Sequence, residues 1–264
     1  LAFSRLGRPW QDASWLSLHG RDSAPLARCL QKRPKALVIL TDPSRNSAKE
    51  IRKYLRASGL EKSYAFWIFE RLGDSEERIQ NITPKDELPL DLDPLHLVIL
   101  IAQQDPVPKP EKLPLFGLED GIYLQHADRP GLMTKREIRI QLIADLELPK
   151  EGVLWDIGAG VGSVGLEALR LRPNIKLLAI EKRVGANKLI RANAHRLCVK
   201  PSAIIEAEAL EVLKNKDLPN NLISPDRVLI GGGGSSREQL LEVIPHRSSR
   251  YTYRFLNVFQ GFSL

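Results

Sequence analysis

Apolar residues in this chain gather into short runs, separated by polar stretches in which they recur at helical spacing. Ala36–Leu40 (ALVIL), Ala65–Phe69 (AFWIF) and Leu95–Ile101 (LHLVILI) read as buried strands, each a brief apolar run bounded by turn residues. Phe3, Leu6 and Trp10 have helical spacing, SLHGRD reads as a turn, and Leu26, Cys29 and Leu30 have helical spacing again. Thr41–Ser44 predicts a turn. Ser47-x-x-Glu50 predicts a capping box before a helix with Ile51, Tyr54 and Leu55 on one face and Gly59 ending it. Residues 73–94 are polar and charged and read as loop.

Pro106, Pro108, Pro110 and Pro114 stiffen the next stretch. The composition shift places a boundary between Gln104 and Pro130, giving a first domain over 1–104, a linker over 105–129 and a second domain over 130–264. Thr134-x-x-Glu137 predicts another capping box, with Met133 and Ile138 as its hydrophobic staple and a helix running to about Leu146. From there strand and helix patterns alternate. Val153–Ile157, Ile175–Glu181, Ala203–Glu206 and Asp226–Ile230 read as strands. Val164–Leu171 and a face of Ala186, Leu189, Ile190, Asn193 and Leu197 read as helices. Alternation of this kind predicts an α/β fold with a parallel sheet. Tyr253–Val258 could add one more strand.

The chain has 264 residues, enough for one large domain or two small ones. No run approaches the ~18 apolar residues of a membrane span, and the start carries no signal-peptide pattern, so the expectation is a soluble cytoplasmic protein. Cys29 and Cys198 fit no metal or redox spacing and read as small buried hydrophobes, and the five histidines are scattered, so no metal is expected. A formal charge of +7 admits nucleic acid, an anionic surface or a small polyanion as partner. The basic residues are dispersed, with no aromatic-interleaved patch, which leaves a mildly cationic solvated surface as the plain alternative.

The chemistry concentrates in one stretch, Val153 to Gly165 (VLWDIGAGVGSVG). A strand feeds a glycine-rich turn and then a helix N-terminus, whose unpaired N–H groups suit a nucleotide-like ligand. Two ligand classes compete. Gly160-x-Gly162-x-x-Gly165 with Glu181 about 20 residues on matches a dinucleotide fingerprint. Asp156-x-Gly158-x-Gly160-x-Gly162 resembles the first motif of S-adenosylmethionine (SAM) methyltransferases with a Rossmann-like fold. A tight turn that binds nothing is the third possibility.

Flanking residues carry a narrower resemblance. Ser17–Arg21 (SLHGR), Leu40-Thr41-Asp42, Glu70–Gly73 (ERLG) and Glu76–Ile79 (EERI) resemble the second half of a tetrapyrrole (precorrin) methylase that acts at carbon 5. Thr134-Lys135-Arg136-Glu137-x-Arg139, followed by the strand and glycine loop, resembles the decarboxylating precorrin methylases that act at carbon 15. The order is that of the fused family of cobalamin synthesis. The resemblance implies a partial tetrapyrrole-methylase subdomain followed by a Rossmann-like SAM-dependent methyltransferase domain.

It further implies methylation of precorrin-6 at carbon 15, decarboxylation of the C12 acetate, SAM as cofactor, a tetrapyrrole as substrate and a homotetramer, with neither nucleic acid nor membrane as partner. The implied cofactor set is Thr134, Asp156, Gly158, Ala159, Gly160, Val161, Gly162, Glu181, Glu208 and Ala209. Among these, Glu181 would hold the ribose, and Glu208 and Ala209 would meet the adenine. Lys135, Arg136, Arg139 and Gly232 are candidates for the substrate. No catalytic residue is nominated, since the reduced macrocycle can act as its own electron sink.

The sequence departs from the family pattern at Ala207 and Leu210, at Val161, where a hydroxyl residue is common, and at Gly165, whose missing side chain would weaken the helix start. The front subdomain is not represented, and no resemblance is expected beyond Ile244, as in a fragment with an atypical C-terminus. A methyltransferase for another substrate such as RNA, a nicotinamide dehydrogenase and a non-catalytic remnant are the rival expectations.

Overall fold

The structure is a computed structural model that describes residues 1–45, 47–94, 96–103, 109–231 and 237–244. The possible strand at 253–258 and the residue Gly232 lie outside the described residues. The chain divides into two compact units, Leu1–Pro108 with Gln125–Gly131, and Lys109–Leu124 with the residues from Leu132 onward.

The first unit contains α1 (Ala2–Arg5), β1 (Ala13–Ser17), α2 (Ala24–Gln31), β2 (Ala36–Leu40), α3 (Ala48–Ala57), β3 (Tyr64–Glu70), β4 (Arg78–Ile82) and β5 (His96–Ala102). Its sheet runs β1-β2-β5-β3-β4, with β1 parallel to β2 and the remaining pairs antiparallel. Alternation along the strands divides the core. Leu37, Ile39, Val98 and Leu100 meet Leu26 and Leu30 of α2 and Ile51 and Leu55 of α3. Val38, Phe69 and Ile99 face the other way, onto Phe3 of α1.

Two strands here are absent from the hydrophobic pattern. β1 places Trp15 outward, 61% exposed, and β4 (RIQNI) is polar and falls inside the expected 73–94 loop. What holds β4 is pairing to β3 and the Arg78 guanidinium, which donates to both carboxylate oxygens of buried Glu70 at 2.6 and 2.7 Å. The helix of Phe3 and Leu6 stops at Arg5, short of Trp10. Ser47 does precede α3 and Gly59 follows it with φ +68°, but the Ser47 hydroxyl bonds the Glu50 carboxylate instead of the backbone, and the first N–H of the helix, that of Ala48, donates to His96 Nε2 at 3.1 Å.

The second unit contains α4 (Arg136–Asp145), β6 (Gly152–Ile157), α5 (Ser163–Leu171), β7 (Ile175–Ile180), α6 (Ala186–Arg196), β8 (Ala203–Ile205), α7 (Ala209–Lys214), β9 (Arg227–Ile230) and α8 (Arg237–Val243). All its strand pairs are parallel, in the order β8-β7-β6-β9. Leu154, Leu177 and Ala179 face α4, α5 and α6, while Trp155, Ile157, Leu178 and Ile180 face α7 and α8. β6 is the central strand at which the connections diverge, and in open parallel sheets a ligand crevice lies at the carboxyl end of that strand.

α4 begins one residue later than the capping-box pattern predicts. Lys135, not Thr134, precedes it, Met133 is buried, and Ile138 is 40% exposed, so no staple forms. Cys198 is exposed rather than buried, because it sits just past the end of α6 with φ +53°. Among the described residues no helix is long and apolar enough to cross a membrane.

Candidate functional site: the glycine loop of the second unit

The loop after β6 is fixed to the end of β7. The N–H groups of Gly158 and Ala159 donate to the Ile180 carbonyl at 2.8 and 3.1 Å, and Gly162 N–H turns back to the Ala159 carbonyl at 2.8 Å. Gly158, Gly160 and Gly162 have φ of +75°, +58° and +80°, a region that side chains other than glycine's rarely adopt. A Cβ on Gly160 would meet nothing within 4 Å, whereas one on Gly162 would lie 3.0 Å from Ile190 of α6. The loop is thus packed from beneath and open at Gly160. Gly231 backs it from β9, donating to the Ile157 carbonyl at 2.8 Å, and a Cβ there would stand 3.0 Å from the Gly158 carbonyl oxygen.

Glu181, just past β7, faces this loop. Its Oε2 accepts from Gly160 N–H at 2.8 Å and its Oε1 from Arg183 N–H at 3.0 Å. Each carboxylate oxygen has a further lone pair, so the group can still accept from a diol. Asp156 behaves differently. It is buried, its Oδ2 accepts from Gly165 N–H at 3.1 Å, and burial, reinforced by the neighbouring Glu181 charge, pushes its pKa up to about 7. The ligand contact expected of Asp156 is therefore replaced by a brace between β6 and the first turn of α5. Gly165 is required there, since a Cβ would lie 2.8 Å from both the Asp156 carboxylate and Leu177. Its missing side chain accommodates the brace rather than weakening the helix.

The other expected residues divide. The side chains of Ala159 and Val161 belong to the core, leaving only their backbone to meet a ligand. Glu208 directly precedes α7 and pairs with Lys182 at 3.1 Å, and Ala209 is buried beside it. Thr134 is half-buried, and its carbonyl accepts from Arg139 at 2.7 Å. Lys135 stands 3.6 Å from Asp120, and Arg136 donates to the Gly117 carbonyl at 2.8 Å, both side chains keeping solvent exposure. Arg139 is not available to a substrate. It is fully buried, paired with Glu167 and Asp120, bonded to the Leu118 and Thr134 carbonyls, and set 4.9 Å over the Tyr123 ring.

That ion pair and the amide of Asn193 are the polar groups that sequence reasoning missed. Helical spacing puts Asn193 on the apolar face of α6 but does not show what its amide bonds, and it does not tell whether Arg139 lies in the core or at the surface. Burial and the adjoining Glu167 carboxylate also hold the Tyr123 phenol well above its usual pKa.

A parallel sheet in this order, a glycine loop after its central strand and an acid closing the next strand define the class: a Rossmann-like α/β fold with a nucleotide-type glycine loop. Comparison with known proteins narrows it. Residues 126–252 match the family model of the precorrin methyltransferase domain, so the likeness continues past Ile244 into the stretch expected to show none. The chain is 31% identical over 236 residues to a precorrin-6Y C(5,15)-methyltransferase (decarboxylating) of Sinorhizobium sp, which covers 89% of this chain and 54% of that protein.

Over 125 residues it is 30% identical to the cobalt-precorrin-6B C(15)-methyltransferase (decarboxylating) of Salmonella typhimurium, covering 47% of this chain and 60% of that one. Among solved structures, a precorrin-6Y C5,15-methyltransferase from Geobacter metallireducens aligns with a TM-score of 0.42 at 33% identity, over 50% of this chain and 66% of that one. The chain spans a little over half the length of the curated relatives it matches.

Proposed function

We propose that this chain carries the SAM-dependent methyltransferase that methylates a precorrin at carbon 15 and decarboxylates its C12 acetate, as a soluble cytoplasmic homotetramer without nucleic-acid or membrane partners. The observation that carries the reading is the Glu181 carboxylate drawn onto the open Gly160 turn, in a unit whose sequence matches the precorrin methyltransferase domain.

The residues present fit the cofactor. The space above Gly160, where even a Cβ would meet nothing, leaves room for backbone to approach a ligand, and Glu181 keeps lone pairs for a ribose diol. Gly158, Gly160 and Gly162 would pass the methionine end, Thr134 would cover it, and Glu208 and Ala209 would flank the adenine. When bound, SAM supplies an electrophilic methyl group. The chain's contribution is to hold a nucleophilic carbon of the reduced tetrapyrrole in line with that group and to exclude water. Lys135 and Arg136 are the exposed cations suited to the substrate's carboxylates.

The test is calorimetry with S-adenosylhomocysteine on the wild-type chain and Glu181→Ala. Micromolar binding by wild type, weakened by about 1.5 kcal/mol or more in the variant, is the expected result. A folded wild-type chain that binds no S-adenosylhomocysteine overturns the reading.

A further inference from the structure

Asn193 lies on the buried face of α6 with its carboxamide fully engaged. Its Nδ2 donates to the Leu124 and Val161 carbonyls, both at 3.0 Å, and its Oδ1 accepts from Leu124 N–H at 2.7 Å. Val161 lies between Gly160 and Gly162, the two loop glycines with φ of +58° and +80°. One side chain therefore joins the glycine loop to the segment leading out of 109–124. The same helix supports both partners elsewhere. Ile190, one turn earlier, closes the space beneath Gly162, and Arg196 donates to the Ile122 carbonyl at 2.9 Å.

We infer that Asn193 is a positioning residue for the cofactor loop, locking the Val161 carbonyl so that the glycine turn is held in one conformation before the ligand arrives. The inference rests on the reading of this loop as the SAM site. A glycine-rich turn has many accessible backbone states, and each must be given up on binding unless the protein has already removed them. Asparagine is suited to the task because it offers two donors and an acceptor from one planar group. Aspartate would keep the acceptor but turn a charged oxygen toward two carbonyls, and serine could serve only one of them.

The experiment uses the full chain as wild type, Asn193→Asp, Asn193→Ser and, as a control, Leu146→Ala, a core truncation at the end of α4. Each is measured by urea unfolding, by calorimetry with S-adenosylhomocysteine and by amide exchange at residues 158–162. The expected result is binding weakened about tenfold in Asn193→Asp, less in Asn193→Ser, with faster exchange at 159–162 in both. Leu146→Ala lowers the unfolding midpoint yet binds within about twofold of wild type.

A folded Asn193 variant with wild-type affinity and wild-type loop protection overturns the inference. So does failure of both Asn193 variants to fold, which would assign the amide to folding itself. If the wild type binds no S-adenosylhomocysteine, the cofactor reading falls on its own, and exchange at 159–162 decides the clamp.

Discussion

Arg139 of α4 and Glu167 of α5 form an ion pair in which both side chains are fully buried. Glu167 also accepts from the N–H groups of Gly117 and Leu118, at 2.6 and 3.2 Å, and from the Tyr123 hydroxyl at 2.8 Å. Arg139 reaches Asp120 at 3.0 Å as well as the carbonyls of Leu118 and Thr134. The pair is thus the junction at which residues 117–123 and 134 attach to the helix that follows the glycine loop. Truncating one partner strands a charge in the core, which costs about 3–5 kcal/mol. Arg139→Met should lose that much unfolding free energy by urea denaturation. Arg139→Lys should recover only part of it, because an ammonium cannot reproduce the guanidinium's several fixed directions.

Asp156 makes stability fall with rising pH. Its folded pKa, about 7, lies above the ordinary value of 3.8 because burial disfavours the charge. Below pH 3.8 the group is protonated in both states and exacts no penalty. Between there and about pH 7 only the folded state holds the proton, so the unfolded state gains as pH rises. The full cost above that window is on the order of 4 kcal/mol. Lowered carboxylates such as Glu70, paired with Arg78, act in the opposite sense, so the quantity to measure is a difference. The stability of wild type minus that of Asp156→Asn should decline from pH 4 to 7 and then level off. A flat difference would mean that the carboxyl ionises normally beneath the loop.

Gly165 tests the same brace from the helix side. Alanine is ordinarily favoured over glycine inside a helix by about 1 kcal/mol. Here its Cβ would be 2.8 Å from the Asp156 carboxylate and from Leu177, whose positions are set by the central strands of the sheet. Overpacking of that kind costs about 1–3 kcal/mol, so Gly165→Ala should be net destabilising by urea denaturation. A stabilised variant would show that β6 and α5 can move apart freely.

These residues also mark how far the sequence could be read. The strands of the second unit are apolar runs between turn residues because a parallel sheet is covered on both faces, and all four were legible with the loop that follows β6. β1 and β4 were not, because β1 turns Trp15 to solvent and β4 gains its place from Arg78 pairing with Glu70 rather than from apolar side chains. The glycines and Glu181 converge as their spacing implied. Arg139 stands among the candidates for the substrate because its partner is 28 positions away in sequence and only the packing of α4 on α5 reveals it. Asp156 was read as a ligand contact because the pattern shows the acid and not the direction it faces.

Gly160 separates backbone strain from occupation of the site. Placing alanine at φ +58° costs about 1–2 kcal/mol wherever it is done, and a Cβ there meets nothing within 4 Å, so no steric cost is added to the folded chain. Gly7 in the first unit offers the matched control, with φ +61° and equally open space. Gly160→Ala and Gly7→Ala should therefore lose similar stability by urea denaturation. If a ligand lies against the turn, only Gly160→Ala will also weaken S-adenosylhomocysteine, by about tenfold or more, because the new methyl group occupies the approach that the glycine leaves clear. Equal binding by the two variants would place the ligand away from Gly160 and remove the turn from the site.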